Sequence, residues 1–418
     1  MRFTFRIVIL FALMAAASDV FAQGSPYDLL GFGIPVRSAN PVIEAMGGTG
    51  AALEGSRTIN DLNPADWTWL GRARFDLSGR YEYSSIQSAG VDRGQQHNYH
   101  LDGIAFGSPI WSDYQASIAL GYQAQTHASS EIDSTGPIGT TQYVSNGGAN
   151  MLFIGLAARP TNWLAVGLRA DLIIGDIRHQ DHIAFNDAEA DSGEFERDYT
   201  FYGFRPTIGI ELIGDSISDG LRGFALGASY SLGASLTSTR ETIITPVNST
   251  LDTTIDVGGV GHYPSQLIAG LSYQFTHRYR AELDYATAAY STAYVYAPAA
   301  ITGDPMLRNN SRIAFGMERM ANVAGEFGTS FGMDKWALRL GFSYSQLPFS
   351  PDASTGVSEI TLSGGVGIPV SAESLLNFTI AGGQRIPIVA DQAPKETFLR
   401  LGASISLSEK WFSPVRRE

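Results

Sequence analysis

The feature that most limits what this chain can become is a period-two alternation that recurs from Arg72 almost to its end. In Arg74–Tyr83 (RFDLSGRYEY), Phe75, Leu77, Tyr81 and Tyr83 fall on one face, and Asp76, Ser78, Arg80 and Glu82 on the other. Leu338, Leu340, Phe342 and Tyr344 oppose Arg339, Gly341, Ser343 and Ser345. Leu399, Leu401, Ala403, Ile405 and Leu407 alternate with Arg400, Gly402, Ser404 and Ser406. Arg169 and Asp171 lie on the polar face of 166–174, as Glu282 and Asp284 do in 281–285. Successive side chains of a strand point to opposite sides, so this pattern describes strands between two different surroundings. A soluble sandwich would have to bury each apolar face against a second sheet. The polar face here carries more charge than a solvent-facing sheet needs, and no blade-length repeat marks a propeller.

Strands are expected near 73–87, 97–108, 114–126, 150–160, 163–178, 195–213, 220–241, 263–276, 278–292, 311–321, 335–347, 356–368, 374–385 and 396–409. Fourteen is an even number of the kind bacterial outer-membrane barrels use. Pro160–Asn162 and 276–278 read as tight turns. Ser129–Gly148, Gln180–Glu194, Glu241–His262 and Ala297–Asn310 read as longer polar loops. Short turns on one rim and long connections on the other suit a barrel. Tyr81, Tyr83, Tyr199, Phe201, Tyr202, Tyr290, Tyr294, Tyr296, Trp411 and Phe412 fall at strand ends, where aromatic rings suit the membrane–water boundary.

Composition agrees with a lipid-facing exterior. Charged residues are 17% of the chain, against about 25% in an ordinary soluble domain. The formal net charge of −13 leaves no phosphate-neutralising surface, which excludes nucleic acid as a partner. The absence of cysteine excludes disulfides, thiolate metal sites and cysteine nucleophiles. Arg2 and Arg6, the apolar run Ile7–Ala17 and Val20-Phe21-Ala22 form an export signal cleaved before Gln23. No later stretch approaches the ~20 apolar residues of a spanning helix.

The expected fold is therefore all-β, a transmembrane antiparallel barrel of about fourteen strands with an N-terminal hatch, in the bacterial outer membrane. The chain divides into a signal peptide (1–22), a hatch or plug (23–71), the barrel (72–412) and a tail (413–418). Residues 23–71 lack alternation and are rich in Gly, Pro, Asn and Ala. Asn40 and Pro41 can start a short helix there.

Little in the chain reads as chemistry. His179-Gln180-Asp181-His182 has the look of metal ligands but falls in a predicted polar loop, so no metal is assigned. Ser78 and His100 fall on or near strands with no signature joining them to an acid. No P-loop, HExxH or GxSxG elbow occurs. No catalytic residue and no cofactor are expected.

Residues 31–65 (GFGIPVRSANPVIEAMGGTGAALEGSRTINDLNPAD) resemble the start of the FadL/TodX family of hydrophobic-compound transporters. The shared features are the glycine-rich MGGTGAAL, a short spacer and then Asn63-Pro64-Ala65. Tyr263-Pro264, Ile268–Tyr273 and Arg280–Tyr285 resemble a later family stretch, as do Arg339–Tyr344 and Pro348-Phe349. The resemblance implies a monomeric fourteen-stranded barrel closed by a hatch. It implies passive uptake of long-chain fatty acids or hydrocarbons, with release sideways through the wall into surrounding lipid and lipopolysaccharide. Phe32, Ile34, Val36, Arg37, Val42 and Met46, with Pro35 and Ile43, are the candidate pocket lining. Most of them equally suit packing of the plug, and Arg37 suits either a carboxylate ligand or an acidic inner wall. Asn63, Pro64 and Ala65 form a structural turn. The alternative is a non-transporting relative that holds protein partners, such as a type IX secretion subunit.

Overall fold

The computed structural model describes residues 25–55, 57–88, 91–187, 192–246, 253–322, 333–350, 356–371, 373–389 and 394–409. The expected signal peptide and the tail, with Trp411 and Phe412, lie outside the described residues. The N-terminal segment holds a short strand β1 (Ile34–Pro35), an α-helix α1 (Pro41–Ala45) and two 3-10 helices, Pro26–Leu29 and Pro64–Trp69. The wall begins with β2 (Ala73–Ser88), β3 (Val91–Trp111), β4 (Ala116–Ala124), β5 (Thr126–Thr135), β6 (Gly139–Thr161) and β7 (Leu164–Phe185). It continues with β8 (Gly193–Ile213), β9 (Phe224–Ser231), β10 (Ala234–Pro246), β11 (Thr253–Tyr263), β12 (Gln266–Gln274) and β13 (Tyr279–Ala288). It ends with β14 (Tyr294–Ala297), β15 (Asn310–Arg319), β16 (Ala337–Gln346), β17 (Val357–Pro369), β18 (Leu375–Pro387) and β19 (Lys395–Glu409).

Four staves of the wall are interrupted. β4 and β5 both pair with β6, and β9 and β10 both pair with β8. β11 runs on into β12, and β13 into β14, after short breaks. Counting each such pair once gives the expected fourteen antiparallel staves. β19 pairs with β2 from Lys395↔Gln87 to Glu409↔Ala73, and the ring closes.

The alternation has the sense a membrane demands. Along β16, Leu338, Leu340, Phe342 and Tyr344 are exposed while Arg339, Ser343 and Ser345 are buried. Along β19, Leu399 and Leu401 face out and Arg400 and Ser404 face in. In water this arrangement would be inside out. In lipid it puts apolar area where no hydrogen bond is available, and the closed ladder satisfies every backbone group it pairs. Near the short turns, Trp111 meets Tyr114 at 4.8 Å and Phe224 stacks on Tyr273 at 4.3 Å, all outward. These rings form an interfacial belt.

Two expectations are corrected. Phe201, Tyr290 and Tyr294 are not on the outer belt; all three are buried inside. Phe201 sits at an inward position of β8, and Tyr290 lies in a 3-10 turn that breaks the stave after β13. The stretches Ser129–Gly148, Gln180–Glu194 and Glu241–His262 are largely strand. The ladders continue to Thr135↔Thr140, Ile183↔Gly193 and Ile244↔Thr253. β6 has 23 residues, about twice the 9–11 needed to cross lipid. Beyond the lipid both faces meet polar surroundings, so the alternation that marks a strand disappears while the strand persists. His179 and His182 therefore lie on β7 rather than in a loop.

Leu362 on β17 is one of the most exposed wall side chains and pairs with the outward Phe342. Leu362→Arg is expected to destabilise the barrel by about 2–4 kcal/mol if it lies at mid-bilayer. Unfolding from phosphatidylcholine vesicles in guanidinium measures this, with Leu362→Ile as the near-neutral reference.

Candidate functional site: the plugged lumen and a break in its wall

The N-terminal segment lies inside the ring because wall side chains bond its backbone from many sides. Asn40 caps α1 by accepting from Val42 N, and Pro41 occupies the first helical position. The next turn has no partners of its own for its backbone donors. Asp284 Oδ2 accepts from Gly50 N at 2.8 Å and Ala51 N at 2.9 Å, and Glu282 Oε1 accepts from Ala52 N at 3.0 Å. Asp61, in the plug, accepts from Ala39 N at 2.8 Å and from Gln123 Nε2 on β4 at 3.0 Å. Asn63 caps the 3-10 helix Pro64–Trp69 by accepting from Ala65 N, and its amide donates to Ala51 O and Ile210 O. The Asn-Pro-Ala turn is thus tied both to the plug and to β8.

Most arginines facing the lumen are paired with carboxylates rather than solvated. Arg385 is fully buried and reaches Glu396 at 2.7 Å, Glu359 at 2.8 Å and Glu82 at 3.2 Å. Arg400 meets Glu82 at 2.7 Å and approaches Glu44 of α1 at 3.8 Å. Arg37 pairs with Glu359 and donates to Ser343 Oγ at 2.9 Å and Thr361 Oγ1 at 2.8 Å. Near the turn end, Glu318 is held by Arg280 and by Arg339 at 2.8 Å, and Arg280 donates to Glu54 O at 2.7 Å. On the opposite wall Asp171 binds Arg169 at 2.7 Å and Arg205 at 3.2 Å, and Arg169 donates to Asp61 O at 2.8 Å. The plug and wall share these charges, so removing either leaves buried ions uncompensated.

Close approach is made possible by glycines on the inner wall. A Cβ at Gly209 or Gly167 would strike Asn63 or Pro64. One at Gly227 would strike Ala51, one at Gly316 would strike Met46, and one at Gly341 would strike Gly47. The plug backbone lies directly against the wall at these points.

One sector of the wall is not closed by its own ladder. β3 pairs with β4 only from Gly103 to Trp111. Val91 and Gly94–Leu101 of β3 pair with β2, and β5 pairs with β6, but among the described residues no ladder pair joins β3 to β5. The break starts where the register steps. Ala124 pairs with Asn150 but Ala128 pairs with Gly147, so four residues oppose three and Gln125 forms a bulge. The plug covers the free edge of β5. β1 pairs Ile34 with His127 and Pro35 with Thr126, Val36 N donates to Gln125 O at 2.8 Å, and Asp28 Oδ2 accepts from Ser129 N at 3.3 Å. Side chains bridge the rest. Ser129 Oγ donates to Asn98 Oδ1 at 3.1 Å, the rings of His100 and His127 stack at 3.7 Å, and His127 lies 3.5 Å from Asp102.

The sequence candidates separate in space. Ile34 and Val36 line a cavity of about 30 Å³ behind the wall break. Val36 and Arg37 line another of about 70 Å³ on the outer side of the plug. Val42 borders one of about 150 Å³ toward the turn end. Phe32 packs edge-on against Phe201 at 5.4 Å and Tyr263 at 5.1 Å. Met46 is fully buried against the inner wall at Gly316. The six do not share one pocket, and each of these cavities is smaller than the roughly 300–1,000 Å³ of ordinary ligand sites. Sequence reasoning missed Asp28, Asn98, His100, Asp102, His127 and Ser129 as a group. Its available signal was a change in strand phase around Gln125: inward positions are odd in β4 (Ser117, Ala119, Gln123) and even in β5 (Thr126, Ala128, Ser130).

Gly341→Leu is expected to unseat the plug without opening the β19–β2 closure, since the added side chain meets Gly47. Limited proteolysis should then cleave within 25–71 while the barrel keeps its heat-modifiable migration. Arg385→Met, which leaves Glu396 without a cation and Glu82 and Glu359 with one fewer, should cost about 3–5 kcal/mol in denaturant unfolding.

The fold can be compared with solved structures. It is similar to the Ralstonia pickettii toluene transporter TbuX, with 17% identity over 90% of this chain and 98% of that one, and a TM-score of 0.57. It is similar to a Pseudomonas aeruginosa FadL homologue, at 13% identity over 90% and 98%, with a TM-score of 0.58. The P. putida toluene transporter TodX is 14% identical over 92% and 99%, with a TM-score of 0.55. At these identities the likeness establishes the fold, the FadL/TodX-type barrel that the sequence resemblance implied. No curated relative matches the chain. A closed barrel with an apolar outside and a charged inside is a protein of the bacterial outer membrane. The family model described as BamG matches residues 2–417, and the chain belongs to the BamG family.

Proposed function

We propose that the protein is a passive, non-enzymatic outer-membrane channel through which small hydrophobic molecules pass by way of the side wall, with the plug as its gate. One observation carries this reading: the unladdered sector between β3 and β5, whose free edge is covered by Asp28 and β1 of the plug. An apolar molecule gains nothing from a polar lumen filled with ion pairs. A wall break beside lipid gives it a path that skirts the edge of those charges without separating any pair. Displacing 25–36 of the plug would uncover the β5 edge and leave only the side-chain bridges in place. The cargo class is that of the hydrocarbon channels sharing this fold, and the barrel acts as a monomer among outer-membrane lipid and lipopolysaccharide.

A second reading rests on the glycine-lined seat and the paired charges. A barrel so completely filled suits a rigid support for protein partners, to which its long outer hairpins would give reach. The two differ in whether the wall break must open.

The chain has no native cysteine, so Asn98→Cys with Ser129→Cys places a unique pair across the break. Bridging the pair with a short bismaleimide is expected to stop uptake of radiolabelled toluene into cells at least about tenfold, while each single variant transports normally. Unchanged uptake in the bridged protein would remove the channel reading and favour the support.

A further inference from the structure

Arg312 differs from the other buried arginines of the lumen. Each of those has a carboxylate oxygen within 4.0 Å. Among the described residues, Arg312 has none at that distance. Its Nη2 donates to Gly48 O at 3.0 Å, and its Nε, also buried, has no partner. Ser345, its direct partner across the β15–β16 ladder, is likewise buried, and its Oγ has no partner. Opposed residues of adjacent strands place their side chains on the same face. Both border the cavity of about 70 Å³ on the outer side of the plug.

The rest of that cavity mixes polar and apolar lining, and its arginines outnumber its carboxylates. Arg37 and Arg205 also line it, with the amides of Gln266 and Asn310. Its one carboxylate, Glu359, is already bound by Arg37 and Arg385. Two carboxylates near Arg312, those of Asp284 and Asp61, lie beyond contact and are engaged with plug amides and Gln123, so the buried cation is incompletely compensated, and a buried hydroxyl without a partner adds to the cost. Both costs disappear when an oxyanion occupies the space between them. A guanidinium fork matches two oxygens of a carboxylate or phosphate, and a serine hydroxyl donates a further bond.

We propose that this cavity binds the oxyanion head of a small organic acid, a carboxylate or a phosphate, with Arg312 as its counter-charge and Ser345 as a hydrogen-bond donor. The volume holds a head group and excludes a chain, so any tail must extend outward from the plug. The site stands whether or not cargo passes through the wall break, because binding here needs no displacement of β1.

The test titrates the mature chain in detergent, at constant ionic strength, with sodium acetate, inorganic phosphate and neutral acetamide. Saturable binding of acetate or phosphate is expected, together with a raised unfolding temperature, and none with acetamide. The tighter of the two anions identifies the head group. Arg312→Met removes a buried charge that contacts no carboxylate and should fold normally, while weakening anion binding at least about tenfold. Ser345→Ala should weaken it several-fold. Absence of saturable anion binding to the wild type, equal binding of acetamide, or unchanged affinity in folded Arg312→Met would overturn the proposal.

Discussion

At membrane depth every backbone donor and acceptor must find its partner within the protein, because lipid offers none. This one constraint organises the molecule. It requires the ring to close, which the fifteen ladder pairs between β19 and β2 accomplish. It also makes the gap between β3 and β5 meaningful. A strand edge left open there would need covering, and the plug supplies the cover through β1, Val36 N and Asp28. The plug is therefore part of the wall as well as the contents of the lumen. Its seat and the closure of the wall are one structural state.

That coupling explains why the lumen is so heavily ion-paired. Glu82, Glu359 and Glu396 from three different strands converge on Arg385, and Arg400 and Arg37 join the same cluster. Buried ion pairs add little to net stability when compared with apolar packing. Their value is positional. Arg37 can sit in one place only, against Glu359, Ser343 and Thr361, and Asp284 accepts from two successive plug amides with little tolerance for sliding. The wall glycines sharpen this further, since Gly209 and Gly341 admit plug backbone where any Cβ would not fit. The plug is fixed in depth and rotation by contacts that do not depend on hydrophobic area.

Much of the barrel was legible in the sequence because lipid enforces alternation with a period of two. All fourteen staves were readable, since a Leu340 or Leu401 facing lipid has no polar substitute, while Arg339 and Arg400 have no apolar one. Legibility ended where lipid ended. In the outer halves of β6, β7 and β8 both faces are polar, so residues such as Gln180 and Glu194 looked like loop although they pair across the β7–β8 ladder with Glu196 and His182. Aromatic residues misled for a related reason. Phe201 and Tyr290 suit an interfacial belt by type, and only the phase of β8 and the break after β13 turn them inward. The site was less legible still. Asn63-Pro64-Ala65 announced itself through local turn chemistry, but Asn98 and Ser129 meet only because Gln125 shifts a register by one residue, and Arg312 gains its interest from a carboxylate that is missing.

On the proposed reading, the polar lumen and an apolar cargo are compatible only if the two are kept apart in space. A hydrocarbon moving through the centre would have to displace Arg385, Arg280 and Asp171 from their partners, separating buried charges several times over. A hydrocarbon moving through the β3–β5 break meets Ile34, Val36 and the paired imidazoles instead, and on its other side lie Tyr99 and Leu101, exposed to lipid. The cavity behind the break is bordered on its inner side by Arg80, Glu82, Glu396 and Arg400, which are held in ion pairs, so the route stays on the lipid side of that cluster. The energetic contrast assigns different tasks to the two regions. The centre holds position, and any conformational change confined to a few kilocalories must take place at the wall break, where the plug stands in for the missing ladder.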